Sequence, residues 1–368
     1  MRRSFAMLAL LTAVTSAAQA QQSWQAQIGI QGGVLKAKPA GTSADDAISF
    51  IQLPGGTFYN GLFGSPPLYA IIPWKNKIAI EPQFGLLNLS TTDVGDATVL
   101  STVLRLDYAV TPKIYVALGG AHRWLSAGGS HDGQLGLVTA AGYRLRVTSR
   151  IHGRVEANVT FRKRDDSSGP VNTYSILAGL AANLKGSRTP APRRTTSRSA
   201  WQSAIGVQGG YLNQHTVGGA SDVSGFFLPG HGNDLRQAGS TIGGPAVLFA
   251  ILPIGNKIAI EPGLDVHALS QAGGGGDGFA ATVSGRLNYA VSGGWYAAAG
   301  ASFTNVNFGG TSGTVTGAEA AWGYRFPLTG DLGGRVEVLF DVRGKNTDAA
   351  IPPVNFFGVM FGATMPLR

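Results

Sequence analysis

Two sets of charged residues recur at matched places along the chain. Glu81, Arg105, Arg144, Arg154 and Glu156 in the first half correspond to Glu261, Arg286, Arg325, Arg335 and Glu337 in the second. Each set has three guanidiniums and two carboxylates. In an enclosed space an unpaired charge is expensive, so such a set is expected to pair internally, to bridge with nearby Gln and Asn, and to plug the space it faces. Pairs that exchanged partners would instead make a gate for small solutes. In a wide enclosure the same residues would line a water-filled channel and bias its ion selectivity. Hydrolysis by paired carboxylates is not supported, because Glu81 and Glu156 fall on different segments among arginines, which suits ion pairing.

Other chemistry is weaker still. The six histidines, His122, His131, His152, His215, His231 and His267, do not occupy matching positions in the two halves, and none shows the His-x-x-x-His spacing of a metal site. A serine hydrolase would have to use His122 with Ser126, or His131 with Ser130. Gly273 to Gly276 followed by Asp277 lacks the lysine and helix of a phosphate loop and reads as a surface loop. Cysteine is absent, which excludes disulfides and thiolate metal sites. No catalytic residue, metal or cofactor is expected.

The elements that must carry these charges are also repeated. Asn76-Lys77-Ile78-Ala79-Ile80-Glu81-Pro82 returns unchanged as Asn256-Lys257-Ile258-Ala259-Ile260-Glu261-Pro262. Each copy follows an apolar run ending in proline, Leu68 to Pro73 and Leu248 to Pro253, so each reads as strand, tight turn, strand. Trp24-Gln25 matches Trp201-Gln202, Gln31-Gly32-Gly33 matches Gln208-Gly209-Gly210, and Gly153-Arg154-Val155-Glu156 matches Gly334-Arg335-Val336-Glu337. The whole unit is read as repeated.

Within each unit the hydrophobic period is two, which argues strands. Eight are predicted in the first half, about 24–35, 66–73, 78–89, 97–110, 114–126, 134–147, 151–164 and 171–184. The second half is predicted at 201–212, 244–253, 258–270, 279–291, 295–308, 314–327, 334–345 and 354–367. Most are long enough to cross a bilayer when tilted. Short turns alternate with long loops, the longest being 36–65 and 213–243. Each of those holds Leu-Pro-Gly and phenylalanines; capping of the barrel mouth is the favoured reading of them, and an extracellular ligand site is the alternative.

The faces can be oriented. One side of the strands is apolar; the other mixes charge with small residues such as Gly29, Gly85, Gly142 and Gly179, which suit a crowded interior. Trp24, Trp74, Tyr108 and Tyr143, with Trp201, Tyr289, Trp295 and Tyr324, gather near the short turns as an interfacial girdle would. Apolar-out is therefore expected. A secreted soluble barrel would be the opposite arrangement.

The flanking segments bear on location. Met1-Arg2-Arg3, the apolar run from Ala6 to Val14 and Ala18-Gln19-Ala20 read as a signal peptide over 1–20. The net charge of +9 becomes +7 without Arg2 and Arg3, and much of the excess lies in 185–200, a Pro-, Arg-, Ser- and Thr-rich linker. A charge excess confined to a linker does not make a nucleic-acid-binding face. The 54 glycines show no triplet period, which excludes collagen.

Strand pattern and the Ile-Ala-Ile-Glu-Pro strands together resemble the bacterial outer-membrane β-barrel family, in particular its small eight-stranded porin-like or OmpA-like members. The resemblance covers nearly all of both halves. It departs at the end, where such barrels close on an aromatic residue and this chain reads Met365-Pro366-Leu367-Arg368. The expectation is an all-β protein of two tandem antiparallel eight-stranded transmembrane barrels, 21–184 and 201–368, in outer-membrane lipid. One sixteen-stranded barrel is the competing closure. The resemblance and the charge sets imply a non-enzymatic envelope structural or surface-interaction role with plugged lumens. A passive channel for small solutes is the alternative, and an envelope lipid-modifying enzyme ranks third.

Overall fold

The structure is a computed structural model that describes residues 24–39, 47–52, 65–91, 95–148, 151–164, 171–184, 200–217, 222–227, 245–271, 278–308, 311–329, 332–346 and 353–367. The expected signal peptide, nearly all of the linker, both Leu-Pro-Gly tripeptides and the Gly273 to Gly276 run lie outside the described residues.

Every regular element described is a strand. In order they are β1 (Gln27–Pro39), β2 (Ile48–Gln52), β3 (Leu68–Lys75), β4 (Ile78–Thr91), β5 (Gly95–Ala109), β6 (Ile114–Ala127), β7 (Ser130–Arg146), β8 (Ile151–Arg164) and β9 (Val171–Asn183). The second half continues with β10 (Ala204–Thr216), β11 (Asp222–Phe227), β12 (Leu248–Pro253), β13 (Ile258–Gln271), β14 (Gly278–Ser292), β15 (Trp295–Phe308), β16 (Thr311–Thr329), β17 (Leu332–Arg343) and β18 (Val354–Pro366). All pairings are antiparallel. The all-β fold and all sixteen expected strands are present. Two further strands, β2 and β11, fall where the sequence reads as loop.

Those two strands decide how the sheet closes. At the short-turn end, residues 27–30 of β1 pair with 68–71 of β3, and β3 through β9 return to β1 as one ring of eight strands. Likewise 204–207 of β10 pair with 248–251 of β12, and β12 through β18 return to β10. At the long-loop end the partners change. Residues 33–37 of β1 now pair with β2, whose other edge pairs with 267–271 of β13. In return, 210–215 of β10 pair with β11, whose other edge pairs with 87–91 of β4. Following the hydrogen bonds at this level, β1-β2-β13-β14-β15-β16-β17-β18-β10-β11-β4-β5-β6-β7-β8-β9 returns to β1 as one ring of sixteen strands. The two closures read from sequence as competitors therefore coexist at different heights. Two legs join into one broad mouth.

Packing inside agrees. Leu87 and Val99 from the first half belong to the same buried apolar cluster as Leu212, Val223 and Phe356 from the second. Lower down, Trp24, Tyr69, Ile71 and Tyr115 form a cluster that draws only on the first half.

The repeated Glu-Pro strand has a local cause and consequence. Proline has no N–H, so it cannot donate to a ladder. The β3–β4 ladder skips between Tyr69↔Gln83 and Ile72↔Ile80, opposite Pro82. The β12–β13 ladder skips between Phe249↔Gly263 and Leu252↔Ile260, opposite Pro262. On the outer side of the barrel wall Leu104, Leu118, Leu135, Ile176, Leu287 and Phe361 are exposed, while Arg105, Glu156, Arg335 and Glu337 are buried within. Apolar-out is the arrangement found. Trp74, Tyr143, Tyr289 and Trp295 are exposed near the short turns, as a girdle requires. Trp24 and Trp201 are not part of it. They precede their strands, turn under the legs and are buried, donating Nε1–H to the carbonyls of Lys77 and Lys257 at 3.0 and 2.9 Å.

Candidate functional site

Strand alternation aims four of the five charges of each set into a leg. In the first leg Arg105 reaches across from β5 to β8 and donates Nη1–H and Nη2–H to Glu156 Oε1 and Oε2 at 2.7 and 2.5 Å. Its Nη2 also lies 3.0 Å from Glu81 Oε1 and its Nε 3.0 Å from Asp107 Oδ1. Arg154 takes the other side of Glu81, with Nη1 and Nη2 donating to Oε2 and Oε1 at 2.6 and 3.0 Å. Paired, multiply bonded guanidiniums of this kind are what make a buried charge tolerable. Tyr115 donates its hydroxyl to Glu156 at 2.6 Å, and Gln83 donates to Glu81 at 2.7 Å.

The second leg repeats the design with altered parts. Arg286 bridges Glu261 and Glu337 at 2.6 and 2.8 Å, Arg335 donates to Glu261 at 2.7 Å, and Tyr296 donates to Glu337 at 2.5 Å. Asn288 stands where the first leg has Asp107 and donates to Glu261 at 2.9 Å. Phe249 stands where the first has Tyr69. The guanidiniums of Arg154 and Arg335 lie 3.6 Å from the centres of those rings, close enough for cation–π attraction.

Glycine makes the room. A Cβ on Gly142 would come 2.3 Å from the Tyr115 ring, and one on Gly323 would come 2.4 Å from the Tyr296 ring. The stems of Arg105 and Arg286 lie across Gly119 and Gly300 in the same way. The small residues of the polar face are thus the seats of its large ones.

Arg144 and Arg325, the fifth member of each set, are placed apart. They close the short-turn ends, 3.9 and 3.7 Å over the rings of Trp24 and Trp201, and donate to the carbonyls of Pro112 and Ala200. A cavity inside the first leg has about 10 Å³ and touches Arg144, Tyr115 and Arg154. That is room for about one water.

Sequence reasoning passed over several members. Asp107, Tyr69 and Tyr115 were not joined to the charges, and the bridging glutamines expected there are Gln31 and Gln83. Gln31 and Gln208 matter most. Each accepts from Arg154 or Arg335 through its side-chain oxygen, and each donates its side-chain N–H to the segment entering β3 or β12, at Pro66 and Ala246. They sit where the ring of eight gives way to the ring of sixteen. Their recurrence at matching positions was the available signal. In the second half a further ion pair lies nearer the mouth, where Arg343 donates to Asp341 at 2.8 Å.

The alternative chemistry does not converge. His122 and Ser126 share the outer face of β6 four residues apart, and the His131 ring stacks on Trp124 at 5.7 Å. No group of three or more potential metal ligands occurs among the described residues.

No protein-family model matches the chain, and no characterised protein matches it in sequence. Solved structures do share its fold class. The CymD monoaromatic hydrocarbon channel is 8% identical over 98% of this chain and 92% of its own, with a TM-score of 0.29. BamA from Haemophilus ducreyi lacking POTRA domains 1-3 is 9% identical over 94% of this chain and 71% of its own, at 0.40. Ail, the attachment invasion locus protein of Yersinia pestis, is 14% identical over 43% of this chain and 97% of its own, at 0.25.

Proposed function

We propose that the chain is an outer-membrane β-barrel with a non-enzymatic role in envelope structure or surface interaction, its two legs shut by their own charged side chains. The observation that carries this reading is the buried network of Glu81, Arg105, Arg154 and Glu156 and its counterpart Glu261, Arg286, Arg335 and Glu337. Guanidiniums, carboxylates, tyrosine and glutamine occupy each leg and bond to one another, as an interior plug would. The exposed apolar wall supports the membrane setting, since contiguous apolar surface on this scale marks a surface that lipid or protein covers. The experiment is single-channel recording of refolded chain in a planar bilayer. Silence or rare small openings fit the plugged reading; a large, steady conductance overturns it.

A second reading has one observation in its favour. The sixteen-strand ring at the loop end is wide enough in strand number for a porin-like mouth, and it leads to both legs. A passive channel for small solutes would then use the charge layers as gates.

A further inference from the structure

The two halves differ on one patch of outer wall. In the first half a groove of about 720 Å³ runs over β7, β8, β9 and β1, lined by Val34, Ala141, Ala157, Val159, Tyr174 and Ile176. It is deep because Ala141 and Ala157 are small. The register shows what the second half does at the same places. Trp322 stands for Ala141, Val338 for Ala157, Phe340 for Val159, Phe357 for Tyr174 and Tyr211 for Val34. Phe340 and Phe357 pack with ring centres 4.9 Å apart. Bulky side chains occupy there the place the first half leaves as a groove.

The long-loop side of the groove, where Lys36 is itself a lining residue, differs in the same sense. Lys36 lies opposite Tyr174, and Lys38 opposite Asn172. Asn172 in turn lies opposite Phe161, two residues below Lys163. All three lysines point outward at the long-loop end, with Lys36 and Lys163 exposed. Their counterparts are Asn213, His215 and Gly344, and His215 is engaged with Asp222 at 2.7 Å. The lysines and the groove are therefore present together in one half and lost together in the other.

An apolar groove below a cluster of ammonium groups is complementary to an anionic amphiphile. We propose that this face of the first half seats one phosphorylated lipid, with an acyl chain in the groove and the phosphate held by Lys36, Lys38 and Lys163. The proposal rests on the membrane reading above.

The test uses full-length chain refolded in detergent micelles and dimyristoyl phosphatidate as probe, with bound lipid counted by native mass spectrometry. The wild-type chain is expected to retain one phosphatidate. It should retain neither dimyristoylglycerol, which lacks the phosphate, nor inorganic phosphate, which lacks the chains. Replacing Lys36, Lys38 and Lys163 together by Asn should weaken retention at least about tenfold, given the attraction each lysine contributes near an anionic surface. Ala141→Trp, which imports the second half's residue, should weaken it comparably with all lysines intact. Equal retention of dimyristoylglycerol, or unchanged retention in the lysine variant, overturns the proposal. If Ala141→Trp does not fold, the lysine variant decides, because its changes lie outside the barrel interior. A chain that stays folded and monomeric without detergent defeats the membrane reading itself; one that needs micelles yet releases phosphatidate defeats only this site.

Discussion

Arg105 shows how much one buried side chain can hold. It touches Glu81, Asp107 and Glu156, so removing it takes a guanidinium from three carboxylates at once and leaves Glu81 to Arg154. Arg105→Ala is expected to destabilise the chain by about 3–5 kcal/mol, the cost of leaving a buried charge uncompensated. Urea unfolding in micelles reads it. Arg144→Ala is the contrast. That guanidinium is half-buried over Trp24 and donates to the Pro112 carbonyl, so a loss of about 0.5–2 kcal/mol is expected from the cation–π contact. Gly142→Ala tests the fit from the opposite direction. Its methyl would enter the Tyr115 ring, and overpacking of this kind costs about 1–3 kcal/mol. Equal stability of Gly142→Ala and wild type would show that the ring has other room.

At the scale of elements, the exchange of β2 and β11 between halves is the feature to test. Ser224 on β11 lies opposite Ser90 on β4, although the two are far apart in sequence. Since the chain has no cysteine, Ser90→Cys with Ser224→Cys creates a single pair at cross-strand distance. Mild oxidation should close that disulfide and alter migration on a denaturing gel until reductant is added. Two independent eight-stranded barrels would leave the thiols unpaired. Gln31 and Gln208 link this exchange to the charge layers. Gln31→Leu should cost about 1.5–3 kcal/mol, because Arg154 loses a charged hydrogen bond in a buried site. The strands themselves were plain in the sequence, because period-two alternation in β5 or β8 needs no knowledge of partners. β2 and β11 were not. They are short and sit in glycine-rich segments, and a strand's partner is chosen by contacts that no local pattern records.

For the molecule as a whole, the question is whether the broad mouth conducts. Wild-type chain is expected to be silent or nearly so in a planar bilayer, and the double change Arg105→Ala with Arg286→Ala should raise conductance by opening both legs. A variant that remains folded but silent would mean that the remaining side chains close the legs without the arginines. The two charge layers, the Glu-Pro strands and the buried tryptophans recur in both halves. The outward-facing groove and its lysines do not. Those shared features close a leg; the groove and its lysines face outward, where each half can meet a different neighbour.

The sequence alone determined the strand class, the limits of sixteen strands to within a few residues, the inward and outward faces, and four of the charges that pair in each leg. Each of these follows from local chemistry: alternation sets the faces, and charge cannot face lipid. Tertiary structure decided how the sheet closes, because two rings of eight and one ring of sixteen use the same strands with the same alternation. It also decided which residues complete the charge layers. Gln31, Tyr69 and Tyr115 come from strands distant in sequence, and only barrel closure brings them to Arg154, Arg105 and the two glutamates.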